Sequence, residues 1–121
     1  AMLERARSKV AAAGVSGRVE LHLGEAGALP WPDASFDMVV SLEALEFFPR
    51  PRRALAEMAR TLRPGGTLLV SKYPDAWART LPLKGLTRVH MRRTLARLGV
   101  EVQEFRTWQP GHYELTLARK Q

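Results

Sequence analysis

The residues best suited to chemistry are polar groups that directly follow strand-like segments of the chain. Glu25 and Ala26 lie in the turn GEAGALPW, residues 24–31, immediately after the alternating segment VELHL at 19–23. An ionised carboxylate only accepts hydrogen bonds, so an acid here can pair only with a hydrogen-bond donor. The turn is interpreted either as one wall of a pocket for a nucleoside or as an ordinary loop that enters the core.

Two further polar segments follow apolar runs that are typical of buried parallel strands. Residues 41–43 (SLE) end the run at 36–41, and residues 71–73 (SKY) end the run at 67–71. In an open parallel α/β sheet, ligands bind outside the carboxyl ends of the strands. If all three strands are parallel, the three segments lie on one edge of the sheet and a ligand can contact each of them.

The elements that must position these groups are predicted from periodicity and turn residues. The run at 36–41 has consecutive apolar residues, as expected for a strand covered on both faces. Three helical and two further strand predictions complete the pattern. The first helix is predicted at 2–13, with Met2, Ala6, Val10 and Ala13 on one stripe. The second has Leu55, Met58, Ala59 and Leu62 facing inward and is ended by residues 64–66, and the third lies at about 86–98. The two strands, 100–105 and 112–118, are predicted to form an antiparallel hairpin that turns at 109–111. The order strand, helix, strand implies parallel pairing through a crossover.

The segments GEAGALPW, SFDMVVSLEALEFF and LRPGGTLLV, in this order and spacing, resemble the class I S-adenosylmethionine-dependent methyltransferases. The similarity is strongest to the small-molecule type with a GDAxxLPF segment, the methyltransferase type 11-like enzymes, and extends to the terminal helix and hairpin. The resemblance implies an α/β, Rossmann-like fold with a mostly parallel sheet and a C-terminal antiparallel hairpin. LRPGG itself indicates topology, because its proline stops a helix and its glycines permit the reversal into a strand.

The resemblance also implies S-adenosyl-L-methionine as cofactor and assigns residues to it. Glu25 would accept from the adenine amino group and the Ala26 N–H would face a ring nitrogen, although glutamate replaces the family's usual aspartate. Leu29 and Trp31 would flank the ring, and Trp31 could equally be a packing residue of the loop. The residues that would meet the methionine part are Ser41, Leu42 and Glu43, of which Glu43 could instead cap the next segment or face water.

The reaction implied is methyl transfer to a small-molecule acceptor, chiefly through alignment of donor and acceptor. Candidate substrate-side residues are Glu46, Tyr73, Trp77 and His90, with no catalytic residue assigned and His90 equally a surface residue of its helix. The absence of an N-P-P-Y type tetrad argues against an exocyclic base or amide nitrogen as acceptor. No metal site is predicted.

The family's glycine-rich loop and the acid that holds the ribose hydroxyls have no counterpart in this sequence. Residues 1–121 are therefore predicted to form a single domain that corresponds to the C-terminal two thirds of a methyltransferase domain. In the family's strand order, 3-2-1-4-5-7-6, two strands would separate 19–23 from 36–41. We expect upstream residues to supply them, unless the strands pair differently or another chain fills the gap, and we expect 1–121 alone to bind the cofactor poorly and to be inactive.

Composition excludes several classes and leaves two alternatives. The chain has no cysteine and no apolar run near the roughly 20 residues of a membrane helix, so a soluble cytoplasmic protein without disulfides is expected. The net charge of +7 could serve an RNA-modifying enzyme or form a solvated face. The arginines concerned are Arg50, Arg52 and Arg53 and then Arg88, Arg92, Arg93 and Arg97. The second alternative is a catalytically silent relative that serves as a binding subunit; the oligomeric state is not predicted.

Overall fold

The computed structural model describes residues 2–81, 85–109 and 112–121. Pro110 and Gly111 of the predicted hairpin turn therefore lie outside the described residues. The helices are α1 (Met2–Ala12), α2 (Pro51–Thr61), α3 (Asp75–Ala78) and α4 (Arg88–Arg97), and the strands are β1 (Phe36–Ser41), β2 (Leu62–Lys72), β3 (Val100–Trp108) and β4 (Tyr113–Lys120). Two single 3₁₀ turns lie at Ser16–Arg18 and Leu45–Phe47.

The four strands form one sheet in the order β1-β2-β4-β3. β1 pairs with β2 in parallel, as the intervening α2 requires, whereas β4 is antiparallel to both β2 and β3. This arrangement confirms a partial Rossmann-like α/β fold with a terminal antiparallel hairpin. Within the described residues the sheet is mixed, since it holds one parallel pair and two antiparallel pairs.

The parallel part is smaller than expected because the predicted strand at 19–23 is wrong. Val19 has extended backbone angles (φ −127°, ψ 123°), but residues 19–24 pair with no strand of the described chain. The nearest ladder element is an isolated bridge between Glu25 and Ala28. Alternating apolar residues favour an extended backbone, but a strand also needs a neighbour to receive its hydrogen bonds.

The LRPGG segment is part of β2 and joins it directly to α2. The register passes from Phe36 opposite Leu62 to Met38 opposite Thr67, so residues 63–66 form an enlarged bulge. Gly65 has φ +82°, a left-handed conformation that glycine adopts without steric cost. β2 therefore begins five residues before the predicted strand at 67–71, and the proline and glycines lie in the bulge near its start.

The core lies on one face of this sheet, where α2 and α4 contact each other and the strands. Its fully buried members include Leu55, Leu62, Leu68, Val70, Met91, Leu95 and Val100. On the other face, Met38 and Val40 are 49% and 48% exposed, so the expectation that β1 is covered on both faces is wrong within the described residues. The α1 stripe does not cover them either, because no residue of α1 is buried.

We expect Gly66→Ala to lower the free energy of unfolding by about 1–3 kcal/mol, the usual range for overpacking. A Cβ at Gly66 would lie 2.8 Å from the Asp37 carbonyl oxygen and 2.6 Å from Leu62 Cδ1. Urea unfolding measures the change, and Gly17→Ala is the matched control because a Cβ there meets no atom within 4 Å. Equal stability of the two variants would contradict the close packing of the bulge against β1.

Candidate functional site

The carboxyl ends of β1 and β2 lie side by side. Ser41 is opposite Val70 in the register, and the backbone N–H of Glu43 donates to Ser71 Oγ at 2.5 Å. Glu43 has φ +57°, a left-handed conformation that is uncommon for residues other than glycine. The two predicted segments, 41–43 and 71–73, are therefore brought together at one edge, which we call the rim.

Glu46 is a buried carboxylate directly behind this rim. It is 6% exposed within the 3₁₀ turn Leu45–Phe47, and its Oε1 accepts a hydrogen bond from the Tyr73 backbone N–H at 2.7 Å. Burial raises the pKa of Glu46, against the opposing effects of the Tyr73 hydrogen bond and the nearby Lys72 charge. A carboxylate in this state is suited to accept a proton.

Lys72, the last residue of β2, is completely buried and holds the rim together from below. Its Nζ lies 3.0 Å from Asp75 Oδ1 and 3.1 Å from Glu114 Oε1, and it donates to the Tyr73 carbonyl at 3.0 Å. Arg88 Nη2 also pairs with Glu114, at 2.5 Å. Lys72 thus links α3, β4 and Tyr73 directly, and Arg88 connects α4 to the same network through Glu114.

Both acids of this network are held ionised. Burial raises the pKa of Glu114, but the hydrogen bond from Arg88 and the charges of Lys72 and Arg88 outweigh it and lower the pKa overall. Burial likewise opposes the lowered pKa of Asp75, which results from the Arg88 backbone N–H and from Lys72. Such pairing is what makes a buried lysine tolerable.

Aromatic side chains from α3, β3, β4 and the segments next to β2 and β4 lie beside the rim, and His112 joins them through its contact with Trp77 at 6.1 Å. We call them the rim aromatic cluster, which consists of Tyr73, Trp77, Trp108, His112 and Tyr113. The Tyr73 ring centroid lies 5.8 Å from that of Trp77 and 5.6 Å from that of Tyr113, and Trp108 lies 6.1 Å from Tyr113. Burial is the main cause of the raised pKa of Tyr113, followed by the charges of Tyr73, Glu43 and Glu46.

Sequence reasoning missed the contribution of the hairpin to this cluster. Trp108 and Tyr113 are opposite each other at the tip of the hairpin, and Glu114 is opposite Lys72 at the end of β2. Since β4 runs antiparallel to β2, the start of β4 must lie beside the end of β2. The aromatic residues that flank the predicted turn at 109–111 were the available signal.

The turn at 24–31, which contains Glu25 and which we call the acidic corner, forms a separate cleft of about 600 Å³. Its lining includes Glu25, Ala26, Phe48, Arg50 and Arg53, and Glu25 itself is exposed. The size is within the range of small-molecule sites, about 300–1,000 Å³. Arg53 Nε also donates to the Gly27 carbonyl at 2.9 Å, which fixes the corner against the first turns of α2.

The polar face of α2 holds the rest of the corner loop. Glu57 Oε1 accepts from the Leu29 N–H at 2.9 Å, and Arg60 Nη2 donates to the Leu29 carbonyl at 3.1 Å. Arg60 also pairs with Glu57 at 2.6 Å and with Asp33 at 2.9 Å. The hydrogen bond from Arg60 is the main cause of the lowered pKa of Glu57. The helical spacing of positions 53, 57 and 60 opposite the apolar stripe was the signal for these contacts.

A second cleft, of about 310 Å³, links the corner to β1. Ala26, Leu29 and Trp31 line it together with Ser41 and Phe48. The Trp31 ring packs edge-on against Phe36 at 5.2 Å and His22 at 5.0 Å. These contacts agree with the packing alternative for Trp31. Leu42, by contrast, is 44% exposed beyond the end of β1.

His90 is not brought to the rim by any contact of the described residues. It is exposed in the first turn of α4, where its Nδ1 lies 3.1 Å from Thr87 Oγ1, the N-cap hydroxyl. Two of the predicted patch arginines are also used within the fold, because Arg88 and Arg92 lie over the Phe105 ring at 5.3 and 5.0 Å.

The profile of the family described as "Methyltransferase domain" matches residues 1–70, which is more than half of the chain. The chain belongs to this family. Membership and fold together identify a methyltransferase-type domain, and the family implies S-adenosylmethionine as the methyl donor.

Curated relatives and solved structures are similar over different shares of the chain. The demethylmenaquinone methyltransferase of Deinococcus radiodurans is 38% identical over 105 residues, which cover 84% of this chain and 40% of that protein. The 27-O-demethylrifamycin SV methyltransferase of Amycolatopsis mediterranei is 41% identical over 71 residues, covering 59% of this chain and 26% of that protein. The chain therefore spans less than half the length of these relatives. The [4+2]-cyclase SpnF has the same fold at 21% identity, with a TM-score of 0.79 over 98% of this chain and 62% of that one.

Among residues 2–81, 85–109 and 112–121, no helix is long and apolar enough to cross a membrane. The same residues contain no group of three or more histidine, aspartate or glutamate side chains arranged to hold a metal ion.

We expect Glu114→Gln to lower the free energy of unfolding at pH 7 by about 3 kcal/mol, because it leaves Lys72 with one charged partner fewer in a buried site. The pKa of Glu114 is lowered on folding, so its stabilisation is complete above the ordinary glutamate pKa and is lost as pH falls through the folded pKa. Glu46, with a raised pKa, acts in the opposite direction. Urea unfolding should show that the free energy of unfolding falls less between pH 7 and pH 3 in the variant than in the wild type.

Glu101→Gln is the matched control for this change, since Glu101 is exposed at the opposite end of the sheet and bonds Gln121. Its effect should stay within about 0.5 kcal/mol. If both variants shift stability equally, the Lys72 network is not the stabilising feature that its burial indicates.

Proposed function

We propose that the protein transfers a methyl group from S-adenosylmethionine to a small-molecule acceptor. The observation that carries the proposal is the convergence at one edge of Glu43, Glu46 and Tyr73, beside the cleft of Glu25 and Ala26, in a chain of the methyltransferase family. We also propose that residues 1–121 form part of a single domain.

The residues of the corner fit the adenosine part of the cofactor. The cleft is large enough for a nucleoside, and the exposed Glu25 carboxylate can accept from the adenine amine while the Ala26 N–H donates to a ring nitrogen. Leu29 offers apolar contact in the adjoining cleft. Ser41, Leu42 and Glu43 follow at the end of β1, where the methionine part would lie.

The rim would act on the acceptor chiefly by positioning it, and less by activating it chemically. The bound cofactor supplies a methyl group on a sulfonium, and Glu46, Tyr73 and Trp77 would hold the acceptor in line with it. Alignment of this kind accounts for several kcal/mol of a reaction barrier. His90 is omitted from the acceptor site because its contacts are with the N-cap of α4.

The two curated relatives are named for different methyl acceptors, and the cyclase with the same fold is named for a different reaction. Fold and family membership therefore do not identify the acceptor of this protein. The RNA alternative gains no support from α4, since Arg88 and Arg92 pack on Phe105 and Arg88 pairs with Glu114.

We expect Glu25→Ala to weaken binding of S-adenosylhomocysteine about ten-fold, equal to about 1.4 kcal/mol. Removal of the carboxylate removes a charge-assisted hydrogen bond to the adenine amine. Calorimetric titration of the full-length protein measures the affinity. The deaminated analogue S-inosylhomocysteine should bind the wild type poorly, because it presents a carbonyl to the carboxylate, and should lose little more in the variant.

Glu20→Ala is the control, as Glu20 is an exposed acid close in sequence whose side chain contacts His22. It should leave both affinities unchanged. If the full-length wild type does not bind S-adenosylhomocysteine at saturating concentration, the proposed function fails. If Glu25→Ala binds both compounds as the wild type does, only the adenine assignment fails.

A further inference from the structure

The rim aromatic cluster lies close to Glu43 and Glu46, because Tyr73 donates to Glu46 and the charges of both carboxylates act on Tyr113. We propose that they form a binding site for an organic ammonium group, so that the methyl acceptor is an amine that arrives protonated. This inference rests on the proposed function, since it names the substrate class of the same site.

Tyr73 connects the aromatic and the acidic parts of this site. Its backbone N–H donates to Glu46, while its ring contacts those of Trp77 and Tyr113. Ser71, two residues before Tyr73, accepts a hydrogen bond from the Glu43 backbone N–H. A single strand end therefore holds the Glu46 carboxylate and the Glu43 backbone close to the rings.

The rings contact each other edge-on or at a tilt, and none of the three pairs is stacked face to face. The interplanar angles are 68° between Tyr73 and Trp77, 34° between Tyr73 and Tyr113, and 46° between Trp108 and Tyr113. Trp77 is 47% exposed, which is unusual for so large an apolar surface. Aromatic faces attract a cation within about 6 Å of the ring centroid, and more strongly when the cation is desolvated.

The charges around the cluster favour a cation over a neutral ligand. Among the described residues, neither Glu43 nor Glu46 takes part in an ion pair, whereas Lys72 is fully engaged with Asp75, Glu114 and the Tyr73 carbonyl. A carboxylate that is 6% exposed without an ion-pair partner carries a desolvation cost that a bound cation would offset.

The transfer step is balanced with residues of this chain. The ammonium group gives a proton to the Glu46 carboxylate, and the freed nitrogen lone pair attacks the methyl carbon. A nitrogen–carbon bond forms as the sulfur–carbon bond breaks, and the bonding pair returns to sulfur. Protonated Glu46 then releases its proton to water. The raised pKa of Glu46 suits this role, because a more basic carboxylate accepts the proton more readily.

The test uses two probes of nearly equal shape, choline and 3,3-dimethylbutan-1-ol, which differ in a quaternary nitrogen or carbon. Titration of the full-length protein, followed through its tryptophan indole N–H signals in NMR spectra, should show choline binding at least ten-fold more tightly. Glu46→Gln and Trp77→Leu should each weaken choline binding several-fold. Glu101→Gln, at the far end of the sheet, should leave it unchanged.

Equal affinity for the two probes, or no binding of choline, would overturn the inference, as would choline binding that neither variant weakens. Urea unfolding of Glu46→Gln serves as the check on folding. We expect no loss of stability at pH 7, since a glutamine oxygen can still accept from Tyr73 and the cost of a buried charge is removed.

S-Adenosylhomocysteine binding, measured on the same preparations, separates this inference from the proposed function. Binding of S-adenosylhomocysteine without choline would refute the ammonium site and leave methyl transfer standing. Binding of choline without S-adenosylhomocysteine would uphold the ammonium site but overturn the proposed function, and with it the role of the bound amine as acceptor.

Discussion

The buried ammonium group of Lys72 is the constraint on which the functional edge of this protein depends. A charge removed from water is tolerated only when partners replace its hydration, and here Asp75, Glu114 and the Tyr73 carbonyl do so. These partners belong to different elements, so satisfying one cation fixes α3, β4 and the end of β2 in one arrangement. Arg88 extends the same network to α4 through Glu114.

The two parts of the candidate site are held by different means. The rim is organised by the buried network at the end of β2, whereas the acidic corner, which has no strand of its own, is held by the polar face of α2. Arg53, Glu57 and Arg60 bond the backbone of the corner loop at Gly27 and Leu29. The same helix packs its apolar stripe into the core, so one element supports both the fold and the corner.

The buried Glu46 on the proposed acceptor side lowers the stability of the folded state, whereas the paired acids of the Lys72 network raise it. Glu46 is buried without an ion pair and its pKa is raised, which is unfavourable for folding at neutral pH but suitable for taking up a proton. The opposite arrangement applies to Glu114 and Asp75, whose pKa values are lowered and whose charges stabilise the folded state. Neighbouring carboxylates thus have different tasks because their partners differ.

The sequence alone determined the helical stripe of Leu55, Met58 and Ala59, the apolar runs of β1 and β2, the terminal hairpin and the family, because periodicity and motif spacing are local properties of the chain. It also placed the 41–43 and 71–73 segments on one edge, since parallel strands end together. Only the tertiary structure decided that 19–23 forms no strand, that one face of β1 is exposed among the described residues, and that Lys72 meets Glu114 while Tyr113 meets Tyr73. These outcomes depend on residues far apart in sequence, whose pairing no local pattern records.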